Sequence, residues 1–489
     1  MKKKVIFAIF ALACTLGVEA KIGTQIGNVM ARKTTSLNGQ WNYIVDVQEE
    51  GYYDYRMHVT RWGFFQNAKP RRPEDLIEYD FDKAPTMQVP GDWNTQDERL
   101  FFYEGTVWFK RSFDWHQTAG RRTLLYFGAV NYEAHVYVNG QETGHHVGGF
   151  TPFNMDVTEL LKEGENIVIV KVDNKRRAEN VPTLIFDWWN YGGITRDVCL
   201  VDVAETYVES WSLPLTPSKG RGNVITFSVK LNKPVEGQEV TLSIPELKVK
   251  KKFVTDAAGQ ILHSQFSILN SKLTLWSPET PKRYRVEVSM NGETLVDSIG
   301  FRTIEARGKQ LLLNGKPIFL KGISIHEEEP NGGGRANGTN DAHTLLSWAK
   351  ELGCNFVRLA HYPHNEYMGS RGGAYGHPGM ERDTVLLDHR LEEQTDLRQR
   401  PAAGDGHDTA RQEPCQRHHL EHCQRDAPLA RARPVPGQSG AIRPQPGQYA
   451  THLDGHGGDI SVKLQESAAR QHEQICRRGI LQPVYRLVS

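Results

Sequence analysis

Cysteine is scarce, with 6 in 489 residues. Past the leader, Cys199, Cys354, Cys415, Cys423 and Cys476 show neither zinc-ligand spacing nor the even count of a disulfide framework. Cys199 and Cys354 lie in apolar, strand-like surroundings and read as buried thiols. Excess charge is missing too. The 59 Lys and Arg against 58 Asp and Glu give a net +1 with the signs interspersed, so neither nucleic acid nor an anionic membrane is the expected partner. The one apolar run, residues 5–18, is shorter than the roughly 20 residues a spanning helix needs. With Lys2, Lys3 and Lys4 before it and Val18-Glu19-Ala20 after it, it reads as a secretory signal over residues 1–20. Cys14 offers a lipidation alternative, but the apolar residues after it favour cleavage at Ala20. The expected address is periplasmic or secreted. No phosphate-binding loop is evident either, because Gly332, Gly333 and Gly334 are not closed by Gly-Lys-Ser/Thr.

What is present is strand-forming sequence. A chain this long calls for two to four domains. Residues 36–202 hold short apolar runs with turn punctuation. Residues 123–130 alternate, residues 134–138 lead into Asn139-Gly140, a strong hairpin signal, and residues 166–172 form another strand before a polar turn. This spacing predicts a jelly-roll β-sandwich over residues 21–204. Residues 205–305 repeat the pattern on a smaller scale, with strands near 223–231, 239–244 and 284–290, as an immunoglobulin-like β-sandwich would.

The period then changes. Residues 311–315 and 317–320 read as a hairpin leading into a strand over 319–325. Asp341 is placed as the N-cap of a helix with Ala342, Leu345, Leu346, Ala349 and Leu352 on one face, closed by Gly353. Residues 356–360 are a second apolar strand. Strand, helix and strand in this order predict the start of a (β/α)8 barrel over residues 306–368.

Eight motifs in order carry a resemblance. They are Leu37-Asn38-Gly39-Gln40-Trp41, Val89-Pro90-Gly91-Asp92-Trp93, Tyr103-Glu104-Gly105 with Val107-Trp108-Phe109, Tyr137-Val138-Asn139-Gly140, and the stretch 187–198. Leu313-Asn314-Gly315-Lys316-Pro317, Lys321-Gly322 with His326-Glu327, and residues 355–363 complete them. Together they resemble glycoside hydrolase family 2, the β-galactosidases, β-glucuronidases and β-mannosidases. The resemblance implies a sugar-binding jelly roll, an immunoglobulin-like domain and a catalytic barrel. It also implies retaining hydrolysis by two Glu, one an acid/base and one a nucleophile. Asp187 matches the family Asp that reaches from the jelly roll to sugar hydroxyls. His326 and His361 match active-site His at the ends of the first two barrel strands. Arg358 matches the Arg beneath the nucleophile, where a fixed cation favours the ionised carboxylate. Each has a plain alternative: a turn cap for Asp187, a solvated loop for His326, a structural ion pair for Arg358, and a backbone-satisfied ring for His361. No cofactor and no metal ligand set is expected. The implied partner is a β-glycoside, with homo-oligomerisation left open.

The family pattern stops after Met368. Residues 369–489 contain no Trp and no Phe, although 1–368 hold all 10 Trp and all 19 Phe. They carry fifteen Arg against the single Lys463, and nine of the 19 His. So few large apolar groups cannot continue a barrel. The direct reading is a disordered Arg/Gln/His-rich tail, but codon arithmetic favours a displaced reading frame. Read one nucleotide later, Met380 followed by Glu381 forces TGG, a Trp codon. Residues 377–384 then yield Ile-Leu-Val-Trp-Ser-Glu-Ile-Pro, resembling the next family barrel strand. Residues 411–427 yield a stretch ending Ile-Ala-Asn-Glu-Thr-Pro, with the family Asn-Glu pair across the codons of Arg425 and Asp426. Residues 480–489 yield another family strand, Ser-Phe-Asn-(Gln/Arg)-Tyr-Ile-Gly-Trp-Tyr. The slip maps beside Met368 and Gly369, where one extra G suffices. On this reading residues 369–489 are a non-native tail, the acid/base is out of frame near Arg425, and the nucleophile lies beyond Ser489. Glu413 and Glu421 are accidents of the wrong frame, and the chain is expected to be inactive. Two other classes stay open: a non-catalytic carbohydrate-binding protein using the jelly roll, and an interaction tail fused to two sandwiches. The tail's sixteen basic and fifteen acidic residues argue against nucleic acid as its partner.

Overall fold

The strand Thr106–Trp115 shows how the first domain is assembled. It pairs antiparallel with Gly39–Asp46 on one side and Gly164–Asp173 on the other. Its side chains alternate between two buried faces. Val107 and Phe109 enter the main core with Trp41, Leu125 and Phe127, while Trp108 turns outward onto Phe81, Tyr137 and Ile169. This is a computed structural model, and it describes residues 23, 25–59, 72, 79–178, 180, 182, 184, 186, 188–216, 223–268 and 272–370. In the six-stranded sheet the order is Thr86–Val89, Gly39–Asp46, Thr106–Trp115, Gly164–Asp173, Glu133–Val138, Gln141–Val147. The facing sheet runs Lys33–Ser36, Val198–Ala204, Arg121–Phe127, Phe153–Asp156. The turn expected at Asn139-Gly140 joins Glu133–Val138 to Gln141–Val147. Both turn residues are left-handed, with φ of 50° and 82°, as a two-residue hairpin that follows the strand twist requires.

The second domain packs two sheets over a core that includes Ile225, Phe227, Val240, Leu242 and Val286. Asn223–Leu231, Glu239–Ile244 and Tyr284–Met290 are strands with the expected bounds. In the last of these Tyr284, Val286, Val288 and Met290 are buried on alternate positions, the period-two signature of a half-buried strand.

The third region holds Gly322–Ile325 parallel to Phe356–Leu359, joined through the helix Thr339–Glu351, which is one βα unit and the following strand. Three details differ from expectation. The first strand begins at Gly322 rather than 319, because Lys321 N is used by Asn355 Oδ1 at 2.7 Å. The hairpin is a three-stranded sheet of Ile304–Arg307, Gln310–Leu313 and Lys316–Pro317. Asp341 is not the N-cap. Gly338 holds that position, and the Asp341 carboxylate, one turn in, accepts from the amides of Asn337 and Gly338 at 3.1 and 3.2 Å. It still relieves free N–H groups at the helix start. Gly353, at φ 75°, ends the helix as expected. Among the helix residues Ala342, Leu346 and Ala349 are buried against Ile325, Val357 and Met368. Leu352 is 70% exposed, so it does not extend the apolar face.

Cys199 is buried, and burial pushes its thiol up to about 12; Cys354 is half-buried rather than enclosed. Among the described residues no helix is long and apolar enough to cross a membrane. Asp187 and everything after 370, including Arg425 and the expected tail, lie outside the described residues.

Candidate active site

The two parallel strands end side by side, and the residues just past their C-terminal ends meet. His326 follows Ile325, and His361 follows Leu359 by two positions across a cis Ala360–His361 peptide. Their rings are 5.1 Å apart, edge to face. The C-terminal rim of parallel strands is where barrel enzymes carry their chemistry. Arg358, one register step inside the rim, is exposed, and its Nη2 donates to His361 Nδ1 at 2.7 Å. A guanidinium has no acceptor atom, so Nδ1 holds a lone pair and a neutral His361 carries its proton on Nε2. Arg358 therefore fixes the tautomer as well as the ring. Its second contact, Nη1 to Ser324 Oγ at 3.5 Å, is at the limit of a hydrogen bond.

A wall from the first domain closes one side. Trp188 lies 5.6 Å from the His361 ring, 6.1 Å from His326 and 5.6 Å from Tyr362. Phe186 packs on Trp188 at 4.8 Å and is covered by the Arg176 guanidinium at 4.5 Å. Aromatic faces beside polar ring atoms suit a sugar, which presents apolar C–H faces and polar edges. Asp187 sits between Phe186 and Trp188 in sequence. Of the four residues proposed from sequence, His326, Arg358 and His361 come together. The wall of Trp188 and Tyr362 was not named in advance, though both belong to the quoted motifs.

Glu327, next to His326, does a different job. It is 1% exposed, with Oε2 on Arg196 at 2.8 Å and on Arg335, and Oε1 accepting from the Asn365 amide. Burial alone would raise its pKa, but Arg196 and Arg335 outweigh burial and hold it below the ordinary carboxylate range. With both oxygens occupied it is neither a free acid nor a nucleophile. Arg196 also donates to the carbonyls of Phe150 at 3.0 Å and Pro363 at 2.7 Å, so a residue of the first domain ties down both barrel loops. Phe150 and Tyr362 stack on each other at 3.9 Å, and the Arg335 guanidinium lies 4.8 Å from each ring. Nearby, His364 Nε2 donates to the Ala360 carbonyl at 3.0 Å, and burial lowers its pKa to about 4. The cavity between Trp188, Tyr191, Phe150 and Arg335 measures about 10 Å³, room for one water. A larger cavity of about 300 Å³, lined by Arg122, Tyr207, Glu209 and Lys233 among others, contains none of the rim residues.

Three family models match consecutively. Residues 34–204 match the sugar binding domain of glycosyl hydrolases family 2, residues 206–302 the model named for that family, and residues 304–399 its TIM barrel domain. The chain belongs to glycosyl hydrolase family 2. Among curated relatives, a putative beta-glucuronidase of Formosa agariphila is 29% identical over 301 residues, 57% of this chain and 35% of the relative. A beta-galactosidase of Thermoanaerobacter pseudethanolicus is also 29% identical, over 317 residues, 60% of this chain and 42% of the relative. Of solved structures, an uncultured Clostridium sp. beta-glucuronidase superposes with a TM-score of 0.56 at 28% identity, covering 69% of this chain and 56% of its own. The chain thus spans between 35% and 42% of the length of these two curated family members. The rim residues fall within the span that matches the family's TIM barrel domain.

Proposed function

We propose that this family 2 chain derives from a secreted or periplasmic, exo-acting, retaining β-glycosidase whose preferred substrate is a β-glucuronide. The observation that carries the reading is the meeting of His326, Arg358 and His361 with Trp188 at the C-terminal rim of two parallel barrel strands. In a retaining mechanism one Glu protonates the glycosidic oxygen while the other attacks the anomeric carbon, and the first then activates water. The rim supplies what surrounds those steps. His326 and His361 border the sugar hydroxyls, Trp188 offers its face, and Arg358 places a fixed positive charge below the point of attack, where it favours an ionised nucleophile. Asp187, between two wall aromatics in sequence, is assigned to hydroxyl recognition. The glucuronide preference draws support from the names of the relatives and from the sequence of residues 187–194. The secreted address rests on the basic, apolar and small-residue order of residues 1–20.

Neither catalytic Glu is identified in the chain as written, and Glu327 is committed to Arg196 and Arg335. The displaced-frame reading of residues 369–489 accounts for this, and on it the polypeptide 1–489 is inactive. The test compares purified 1–489 with a chain translated from the gene after removal of one nucleotide at codon 368, on chromogenic β-glucuronide and β-galactoside. Turnover only by the corrected chain, faster on glucuronide, is the expected result. Turnover by 1–489 itself would overturn the inactivity, and a faster galactoside reaction would overturn the substrate. A missing TGG across codons 380 and 381 would remove the displaced frame altogether.

A second reading is favoured by the closed core of the first domain. It is carbohydrate binding without hydrolysis, recognisable as glycan affinity of 1–489 that Asp187→Ala abolishes.

A further inference from the structure

On the outer face of the six-stranded sheet, the hairpin at Asn139-Gly140 sets His135 directly opposite His145. Directly opposed residues in an antiparallel pair are close enough for their side chains to share a partner, and here the two rings stack at 4.2 Å. Both Nε2 atoms converge on one oxygen: Glu133 Oε1 is 2.7 Å from His145 Nε2 and 3.5 Å from His135 Nε2. The ligand atoms of these three residues all lie within 4.8 Å of one another. We propose that Glu133, His135 and His145 form a binding site for a divalent transition-metal ion of the zinc class, a function separate from glycoside chemistry.

Three features beyond proximity support the assignment. First, the donor set is right. Two imidazoles and a carboxylate are a three-ligand zinc set, with a fourth position left for water. Ligand atoms of a tetrahedral zinc at about 2.0–2.1 Å stand about 3.3 Å apart, so the 2.7 Å edge between Glu133 and His145 opens by about 0.6 Å and the widest edge, within 4.8 Å, closes onto the ion.

Second, the outer partners are already in place. His135 Nδ1 is 3.0 Å from Glu142 Oε1. An ionised carboxylate only accepts, so Nδ1 keeps its proton on Glu142 while Nε2, which faces Glu133, gives up any proton it shares there and takes the ion. This is the carboxylate–histidine–metal arrangement that orients ligands in metal sites. The other oxygen of Glu133 is held by Arg177 at 2.6 Å, which fixes the carboxylate with Oε1 facing the histidines. The ring of Tyr52, 4.8 Å from His135, limits that imidazole's movement.

Third, the local charge permits a cation. Arg177 is shared with Asp173, and Lys171 and Lys175 are both paired with Glu49. The surrounding acids, Glu49, Glu133, Glu142 and Asp173, therefore outnumber the three cations. When the ion binds, each Nε2 lone pair forms a bond to it, and any proton shared between His135 or His145 and Glu133 is released to solvent. No redox change is involved.

The experiment titrates zinc into full-length 1–489 stripped with a chelator, by calorimetry, and compares His145→Gln and His116→Gln. His145 is half-exposed on an edge strand, and His116 is an exposed histidine paired with Glu163 elsewhere. The wild type is expected to bind one more equivalent than His145→Gln, or to bind that equivalent at least about tenfold more tightly. His116→Gln should match the wild type. Cobalt absorption provides a second readout, a tetrahedral visible band in the wild type that His145→Gln lacks. Thermal melting gives a third: zinc should raise the wild-type midpoint and leave that of His145→Gln unmoved. Equal stoichiometry and affinity in wild type and His145→Gln, or no zinc bound by the wild type, would overturn the site. Comparison of the two variants cancels any zinc held by the histidines of residues 369–489. The glycosidase reading stands or falls separately.

Discussion

The first sandwich and the opening of the barrel solve the same problem, covering a sheet, by different means. The sandwich covers its sheets from within. Thr106–Trp115 is paired on both edges, and its first five residues are buried. Strands Gly322–Ile325 and Phe356–Leu359 have only each other among the described residues. Gly322, Ser324 and Arg358 are exposed on them, and Phe319 just before is 79% exposed. Apolar burial is therefore the main stabilising term in the sandwich, whereas the barrel opening leans on a buried charge cluster borrowed from its neighbour. A region that closes its own core can be read from local pattern. One that depends on distant partners cannot.

The largest test of this contrast is Glu327→Ala. It strands Arg196 and Arg335 as buried cations, and breaking such a cluster from one side costs about 3–5 kcal/mol. Hydrogen exchange should show the loss at Phe356–Leu359 while Thr106–Trp115 keeps its protection. Equal loss in both would mean that the two regions unfold as one.

Acid should act on both regions next. Burial lowers His364 in the barrel loop and His146 in the sandwich from 6.5 to about 4. Unfolded imidazoles take up protons near pH 6.5, the folded ones only near 4. Stability is therefore complete above about 6.5, falls through that window, and levels off below it. Each group contributes on the order of 3 kcal/mol by pH 4. Denaturant midpoints against pH should flatten by one such step in His146→Gln and by a second in His364→Gln.

A smaller effect is expected from Asp341→Ala, which removes the acceptor for two amides at the helix start and should cost about 1 kcal/mol, read as a lower melting midpoint for the helix. Smallest of all is Lys252→Ala in the second domain. Its partner is Glu239 at 2.9 Å with both side chains more than half exposed, and such pairs are worth about 0–1 kcal/mol. A melting shift larger than that from Asp341→Ala would reverse the order.

Legibility followed the same division. The Asn139-Gly140 turn, the three strands of the second domain and the strand–helix–strand order were all visible in the sequence. They rest on residues close in sequence, whether turn chemistry or period. His326, Arg358 and His361 were legible through motif, and they do meet. Glu327 was not. In the run His326-Glu327-Glu328-Glu329 it looks like one acid of a solvated loop, and its partner Arg196 lies 131 residues earlier. The pairing of His135 with His145 was hidden for a related reason, since only the hairpin register makes residues ten apart direct neighbours. Asp341 was misplaced because a carboxylate that serves the helix start can sit at the cap or one turn in, and composition alone does not separate the two.

The tie between Arg196 and Glu327 also has a temporal meaning. A ribosome adding about 5–20 residues each second makes Glu327 roughly 7–26 s after Arg196. Until Glu327 is made, the Arg196 guanidinium lacks its buried carboxylate partner. Glu327 is the anion that Arg196 meets in the folded protein, so this charge pair joins two segments of the chain made at different times.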